Sequence, residues 1–155
     1  MKTTIKVTQN AVMVTSVKLV QTKIPLSWAG VPILGELTAT YVAQQIIGDD
    51  ASESLLAMFL DTKNQVIAAQ RVFTGTVNKA LAAPREILQS ALLCNAVSFI
   101  MAHNHPSGDC TPSDADRQQM QAMELAGNVV GIKMLDSLVV SPEDAYSIKS
   151  NAHMA

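Results

Sequence analysis

The chain has 155 residues, 48% of them hydrophobic and 15% charged, which is enough apolar content for one folded domain with a core and too much for a disordered chain. Eleven Lys+Arg stand against 13 Asp+Glu, a net charge of −2 with no basic run, and this balance disfavours direct nucleic-acid binding built on phosphate neutralisation. No cleavable leader and no stretch of membrane-spanning length is legible, so a cytoplasmic protein with no membrane role is expected.

Residues 1–33 read as an N-terminal extension of short strands and loop. Thr3, Ile5 and Val7 alternate, Val12 and Val14 follow, and Pro25, Gly30 and Pro32 interrupt what comes after. The domain proper is expected over 34–155. Its first helix is predicted from Leu34 through Ile47, with Leu34, Leu37, Tyr41, Val42 and Ile46 at helical spacing and Gly48 as the stop. Leu55–Leu60 and Gln65–Ala68 flank the turn residues Asp61-Thr62-Lys63-Asn64, which predicts a hairpin whose second strand continues through Phe73 to a turn at Gly75. Pro84 suits the first turn of a helix to Leu93, with Glu86 favourable for the helix dipole and Asn95 as a stop.

The apolar run Ala96–Ala102 has strand length, and a helix is predicted from Ser113 to Ala126, ended by Gly127. Gly131–Leu135 and Leu138–Val140 read as two strands, and Ser141-Pro142-Glu143-Asp144 as the start of a short last helix. No repeat or low-complexity segment is present. Helices and strands alternate irregularly around at least one hairpin, which predicts a mixed β-sheet flanked by helices, an α/β or α+β fold. Cys94 and Cys110 form neither a disulfide framework nor a C-x-x-C unit; Cys94 reads as a small core residue and Cys110 as a minor option for a metal ligand. Met120 and Met123 read as core filling.

The chemistry concentrates where the apolar strand ends. His103-Asn104-His105-Pro106-Ser107-Gly108 is followed by Pro112-Ser113-Asp114-Ala115-Asp116, a pattern H-x-H-x7-S-x2-D. Residues i and i+2 of an extended chain share a face, so His103 and His105 can reach one ion while Asn104 points the other way and holds the loop. Asp116, in the first turn of the following helix, returns a carboxylate toward them. Two nitrogens and one oxygen leave a position open, the ligand economy of a catalytic zinc rather than a structural one. Ser113 with Asp116 also fits a capping box, which is compatible with ligation but explains neither the paired histidines nor their place at a strand end. Asp109 and Asp114 read as solvated.

This pattern resembles the metal motif of the JAMM, or MPN-plus, metalloproteases. Pro84-Arg85-Glu86-Ile87, Asn95-Ala96, Ala102 to Gly108, Pro112-Ser113 and Leu135-Asp136 are similar to the RadC-like branch, over a span from about Thr38 to Tyr146. The resemblance implies a JAB/MPN fold of cytidine-deaminase-like architecture and a zinc-dependent hydrolase that cleaves a peptide or isopeptide bond with metal-activated water. It implies Glu53, ahead of the strand Leu55 to Asp61, as the general base, with Glu36 and Glu86 as competitors, and Ser113 as a donor to the oxyanion. A peptide or protein substrate follows from it. Ser137 stands where the family usually has a histidine after the aspartate. Longer RadC proteins carry a helix-hairpin-helix segment ahead of this domain, and none is legible in residues 1–33.

Two other function classes stand beside the hydrolase: a RadC-like role in DNA repair or recombination, on or with nucleic acid, and a metal-free MPN binding scaffold. Scaffolds of that kind have lost ligands, whereas every one is kept here. Cytidine-deaminase chemistry needs H-x-E and a later P-C-x-x-C, and neither occurs.

Overall fold

A computed structural model describes residues 32–74 and 84–154; the strands and loop expected in residues 1–31, and the turn at Gly75, lie outside these. The described elements are α1 (Glu36–Ala43) running into a π-helical turn (Gln44–Gly48), β1 (Ser54–Leu60), β2 (Val66–Thr74), α2 (Pro84–Leu93), β3 (Ser98–Asn104), α3 (Asp114–Val130), β4 (Lys133–Val140), β5 (Ala145–Ser147) and β6 (Ala152–His153). Among the described residues the strands form one sheet in the order β2-β1-β3-β4-β5-β6. Every adjacent pair is antiparallel except β3 and β4, which run parallel with α3 as their crossover.

Helices cover both faces, which is why β1 and β3 are buried along their whole length and appear in sequence as unbroken apolar runs. One face turns Leu56, Met58, Leu60, Ile100, Ala102, Leu138 and Val140 toward α1 and its π-turn. The other turns Leu55, Ala57, Phe59, Phe99, Met101 and Met134 toward α2 and α3, where Ile87, Leu88, Ala91 and Met123 close the core. This is the expected mixed sheet flanked by helices. No helix among the described residues is long and apolar enough to cross a membrane.

The hairpin and α2 stand where the sequence places them, with Asn64 and Asn95 both at positive φ in their turns. Four expectations are corrected. Leu34, Leu37 and Tyr41 face outward at 82%, 69% and 49% exposure, whereas Val42 and Ile46 of the same set do turn inward, and Ala39, Thr40 and Ala43 complete the packed face. Small residues let this helix lie close to the sheet, so those three bulky residues mark the wrong face. Gly127 does not end α3. The helix runs to Val130 and stops at Gly131, whose left-handed φ of 75° completes a C-terminal cap, with the Ile132 N–H donating to the Gly127 carbonyl.

The third correction joins two strands into one. Asp136 and Ser137 look like a polar break in β4, but Asp136 is buried and bonded: it accepts from the Ser137 and Lys149 amides and from the Ser147 hydroxyl. Burial pushes its carboxyl above the usual range, against those hydrogen bonds, and Glu36 adds to the rise. The fourth concerns Ser141–Asp144, which forms a tight turn rather than a helix. The Ser141 amide donates to the Asp144 carbonyl and the Asp144 amide donates to Ser141 Oγ, so the chain reverses directly into β5.

Gly127 has another job. A Cβ built there would lie 2.5 Å from the Ile132 carbonyl oxygen and 3.1 Å from the Phe99 ring, so the bare backbone is what lets α3 sit against β3. Gly127→Ala is expected to destabilise the protein by about 1–3 kcal/mol through overpacking, despite the helix-propensity gain of about 1 kcal/mol that alanine brings elsewhere. Urea unfolding of the two proteins checks the sign.

Candidate metal centre

The centre forms at one end of the two central strands. In the β1/β3 register Leu55 opposes His103, and β4 supplies Val139 on the other side. His103 follows Phe99 and Met101 on the α2/α3 side of the sheet, and His105 keeps that phase one step past the strand because its amide donates to the Val140 carbonyl at 3.0 Å. Pro106-Ser107-Gly108 then turns the chain, with Gly108 at a φ of 84° that favours glycine. α3 begins beside the histidines with Ser113 as its N-cap, and a full capping box forms: Ser113 Oγ accepts from the Asp116 amide, and Asp116 Oδ2 accepts from the Ser113 amide at 2.8 Å.

His103 Nε2 and His105 Nε2 stand 3.2 Å apart, and Asp116 Oδ1 lies 3.4 Å from His103 Nε2. Glu53 Oε1 lies 3.7 Å from His105 Nε2. One ligand atom each from Glu53, His103 and His105 falls within 4.8 Å of the other two. His105 Nδ1 is 2.6 Å from the Asp109 carbonyl oxygen, which can only accept, so Nδ1 carries the proton and Nε2 of the neutral ring is left with a lone pair. That is the tautomer a ligating histidine needs, fixed by a backbone partner as metal-bound histidines commonly are.

These separations fit an ion. Ligands about 2.0–2.1 Å from a tetrahedral zinc stand roughly 3.3 Å from one another, close to both the histidine pair and the His103–Asp116 contact. Burial pushes the Asp116 carboxyl up, but hydrogen bonding to and the charge of His103, with the Ser113 hydroxyl and amide, outweigh it and hold the group well below the usual range. An ionised carboxylate beside two imidazole nitrogens, nearly buried at 4% exposure, is an anionic donor set prepared for a cation.

All five residues singled out in the sequence therefore meet here: Glu53, His103, His105, Ser113 and Asp116. Glu53 and the histidines form the compact group, and Asp116 joins through His103. Glu36 starts the helix on the opposite face of the sheet, and Glu86 is exposed in the first turn of α2. The Cys110 thiol donates to the Asp144 carbonyl among Val139, Tyr146 and Ile148, and burial, with Asp144 and Asp109, raises its pKa, so it stays a protonated core group. Ser113 Oγ also donates to Asp116 Oδ2 at 2.6 Å. Asn104 points away from the histidines as expected, but the segment it holds lies elsewhere in the chain. The Asn104 amide grips residues 50–54, which carry Glu53, a contact some 50 positions away that no local pattern announces.

Comparison with known proteins identifies the family. The sequence model of a family described as RadC-like JAB domain matches residues 35–153. A UPF0758 protein of Actinobacillus pleuropneumoniae serotype 5b is 38% identical over 133 residues, covering 74% of this chain and 60% of that protein. One from Streptococcus sanguinis is 40% identical over 122 residues, 79% of this chain and 54% of that protein. A third, from Chlorobaculum tepidum, is 40% identical over 106 residues, 68% and 48% respectively. The chain thus spans about half the length of the curated relatives it matches.

The Asp116 carboxyl gives the metal-free protein a defined acid limb. The folded chain binds this proton less readily than the unfolded chain, so the stability from Asp116 is complete above the ordinary carboxylate range, starts to fall within it and is lost progressively as pH drops on toward the lowered folded value. Urea titrations of the apoprotein should show stability declining below about pH 5, and Asp116→Asn should flatten that decline while lowering stability at neutral pH.

Proposed function

The chain belongs to the RadC-like JAB domain family, and from that premise we propose that it is a zinc-dependent metallohydrolase of JAMM type, cleaving a peptide or isopeptide amide bond. The observation that carries the proposal is the pair of Nε2 atoms 3.2 Å apart, with the His105 ring held by its Nδ1 contact to the Asp109 carbonyl in the tautomer that turns an Nε2 lone pair toward His103. Two ring nitrogens at that distance repel unless a proton or a cation lies between them, and the carboxylates of Glu53 and Asp116 beside them complete the kind of donor set that a zinc ion takes.

In this reading His103, His105 and Asp116 hold the zinc, which supplies the Lewis acidity that polarises a carbonyl and acidifies water. Glu53, half-buried beside His105, takes the proton from the attacking water and returns it to the leaving amine. Ser113 donates to the developing oxyanion. Its hydroxyl donates to Asp116 in the resting geometry, so this role requires it to turn toward substrate while its oxygen still caps α3. A peptide or protein is the substrate class that suits this chemistry. The net charge of −2 argues against direct action on nucleic acid, and the intact donor set argues against a scaffold without metal.

A second division of labour is favoured by the compact group of Glu53 with both histidines: Glu53 as a ligand and Asp116 as a neighbouring carboxylate that balances the ion's charge. Metal analysis separates the two. The parent should carry close to one zinc per chain, and the double variant His103→Ala/His105→Ala none; stoichiometric zinc in the double variant defeats the metal assignment. Glu53→Gln should keep its zinc and lose about 10²–10⁴-fold in turnover on a quenched-fluorescence library of α-linked and Lys-ε-linked peptides. Loss of zinc in Glu53→Gln makes Glu53 the ligand.

Ser113 is tested by a pair of substitutions. Ser113→Ala removes cap and donor together, costing on the order of 1 kcal/mol in stability for the cap. Ser113→Asn keeps a good cap and misplaces the donor, so it should unfold near the parent's denaturant midpoint yet lose roughly 2.7–4 kcal/mol of transition-state stabilisation. Parental turnover by the Asn variant reduces Ser113 to a cap.

A further inference from the structure

We propose that Asn104 is the positioning residue for Glu53, so that the residue between the two histidines sets the place of the carboxylate opposite them. Asn104 is fully buried, and the alternation of β3 sends its side chain to the α1 side of the sheet, away from the imidazoles. There it bonds three backbone groups of one short segment. Its Oδ1 accepts from the Ser54 amide at 2.6 Å, and its Nδ2 donates to the carbonyls of Asp50 at 2.9 Å and Ser52 at 3.2 Å. Glu53 lies between two of these anchors, Ser52 and Ser54. Only a carboxamide offers an acceptor and two donors within so short a side chain, since a serine or threonine hydroxyl has one proton and an aspartate has none.

The outer side of the same segment is held separately. Asp50 accepts from Ser54 Oγ and from Arg71 of β2, and Arg71 also donates to the Ile46 carbonyl in the π-turn. Those contacts fix Asp50 against the edge of the sheet, partly in solvent. The buried clasp ties the segment to the strand that bears the histidines. Glu53 Oε1 thus stands 3.7 Å from His105 Nε2 because one amide holds its backbone from below while the histidines rise from either side of that amide. A slip of β3 would break the clasp together with the histidine pair, so the two halves of the site keep one register.

The positional part of this inference stands on the contacts alone; its catalytic meaning rests on the assignment of Glu53 as base, and the experiment separates them. Uniformly labelled parent, Asn104→Ala and Asn104→Asp proteins are compared by amide hydrogen exchange, by cross-peaks between the Glu53 side chain and the His105 ring, by zinc competition against a chelator, and by turnover on the same peptide library. Asn104→Ala loses all three bonds and Asn104→Asp keeps only the acceptor for Ser54. The expected result is a Ser54 amide that exchanges at least tenfold faster in Asn104→Ala, with the amides of Ala57 and Met101 unchanged and the Glu53–His105 cross-peaks lost. A general structural role would speed all these amides together. Zinc affinity should stay within about threefold of the parent, and adding Glu53→Gln to Asn104→Ala should cost no turnover beyond Glu53→Gln alone.

Unchanged Ser54 exchange and intact cross-peaks in Asn104→Ala overturn the proposal, as does failure of both variants to fold, which would make Asn104 a residue of the whole sheet. If Asn104→Ala fails alone, the exchange and cross-peaks of Asn104→Asp decide. A freed Ser54 amide and lost cross-peaks with parental turnover support the placement by Asn104 and count against Glu53 as the base.

Discussion

Strand β3 is paired on both edges and covered on both faces, and the rest of the molecule takes its alignment from that constraint. A slip of one residue would turn Phe99, Met101 and His103 toward α1 and drive Ile100, Ala102 and Asn104 among the side chains of α2 and α3. Every consequence of such a slip is costly: mismatched core volumes, an orphaned carboxamide and imidazoles facing away from α3. The strand is held in place by packing along its length, so the side chains at its end, His103 and Asn104, are placed with it.

The donor set gathers from three directions onto that end. Glu53 arrives from the segment before β1, the histidines from β3, and Asp116 from the first turn of the crossover helix. Each source is rigid for its own reason. The segment before β1 is tied from within and without, β3 is central, and the start of α3 is closed by a reciprocal cap. Preorganisation of this kind lowers the reorganisation needed when an ion binds, because the groups that would repel one another are already held together by folding energy.

Much of the fold was legible because its turns carry explicit chemistry. Asp61–Asn64, Pro84 and Ser113 each announce a boundary through polar or cyclic side chains that bond or restrain their own backbone, and the structure places the boundaries there. The histidine pair and Asp116 were legible for the same reason, since a strand period and a helix turn suffice to bring them together. What failed depended on partners distant in sequence. Asp136 and Ser137 read as a break until the β5 region, with Ser147 and the Lys149 amide, supplies their bonds. The inward face of α1 sets Val42, which the periodicity did mark, beside Ala39 and Ala43, small residues whose value is closeness and which a search for large apolar side chains passes over. Gly127 looked like a stop because a glycine needed for close approach and one needed for a left-handed turn are the same letter. Strands β5 and β6, of three and two residues, are too short to show a period.

The parallel pairing of β3 with β4 also orders events on the ribosome. All the proposed site residues, from Glu53 to Asp116, are synthesised before β4 begins at Lys133. Until β4 arrives, Ser98–Asn104 is an uncovered edge with a nearly continuous apolar sequence, an inviting template for another chain. Antiparallel pairing to β1 can cover one side early, whereas the other side must wait for the whole of α3 to be made and docked. The nascent chain therefore passes through a stage in which its most protected strand is its most adhesive one, and the eight residues of β4 convert that hazard into the centre of the sheet.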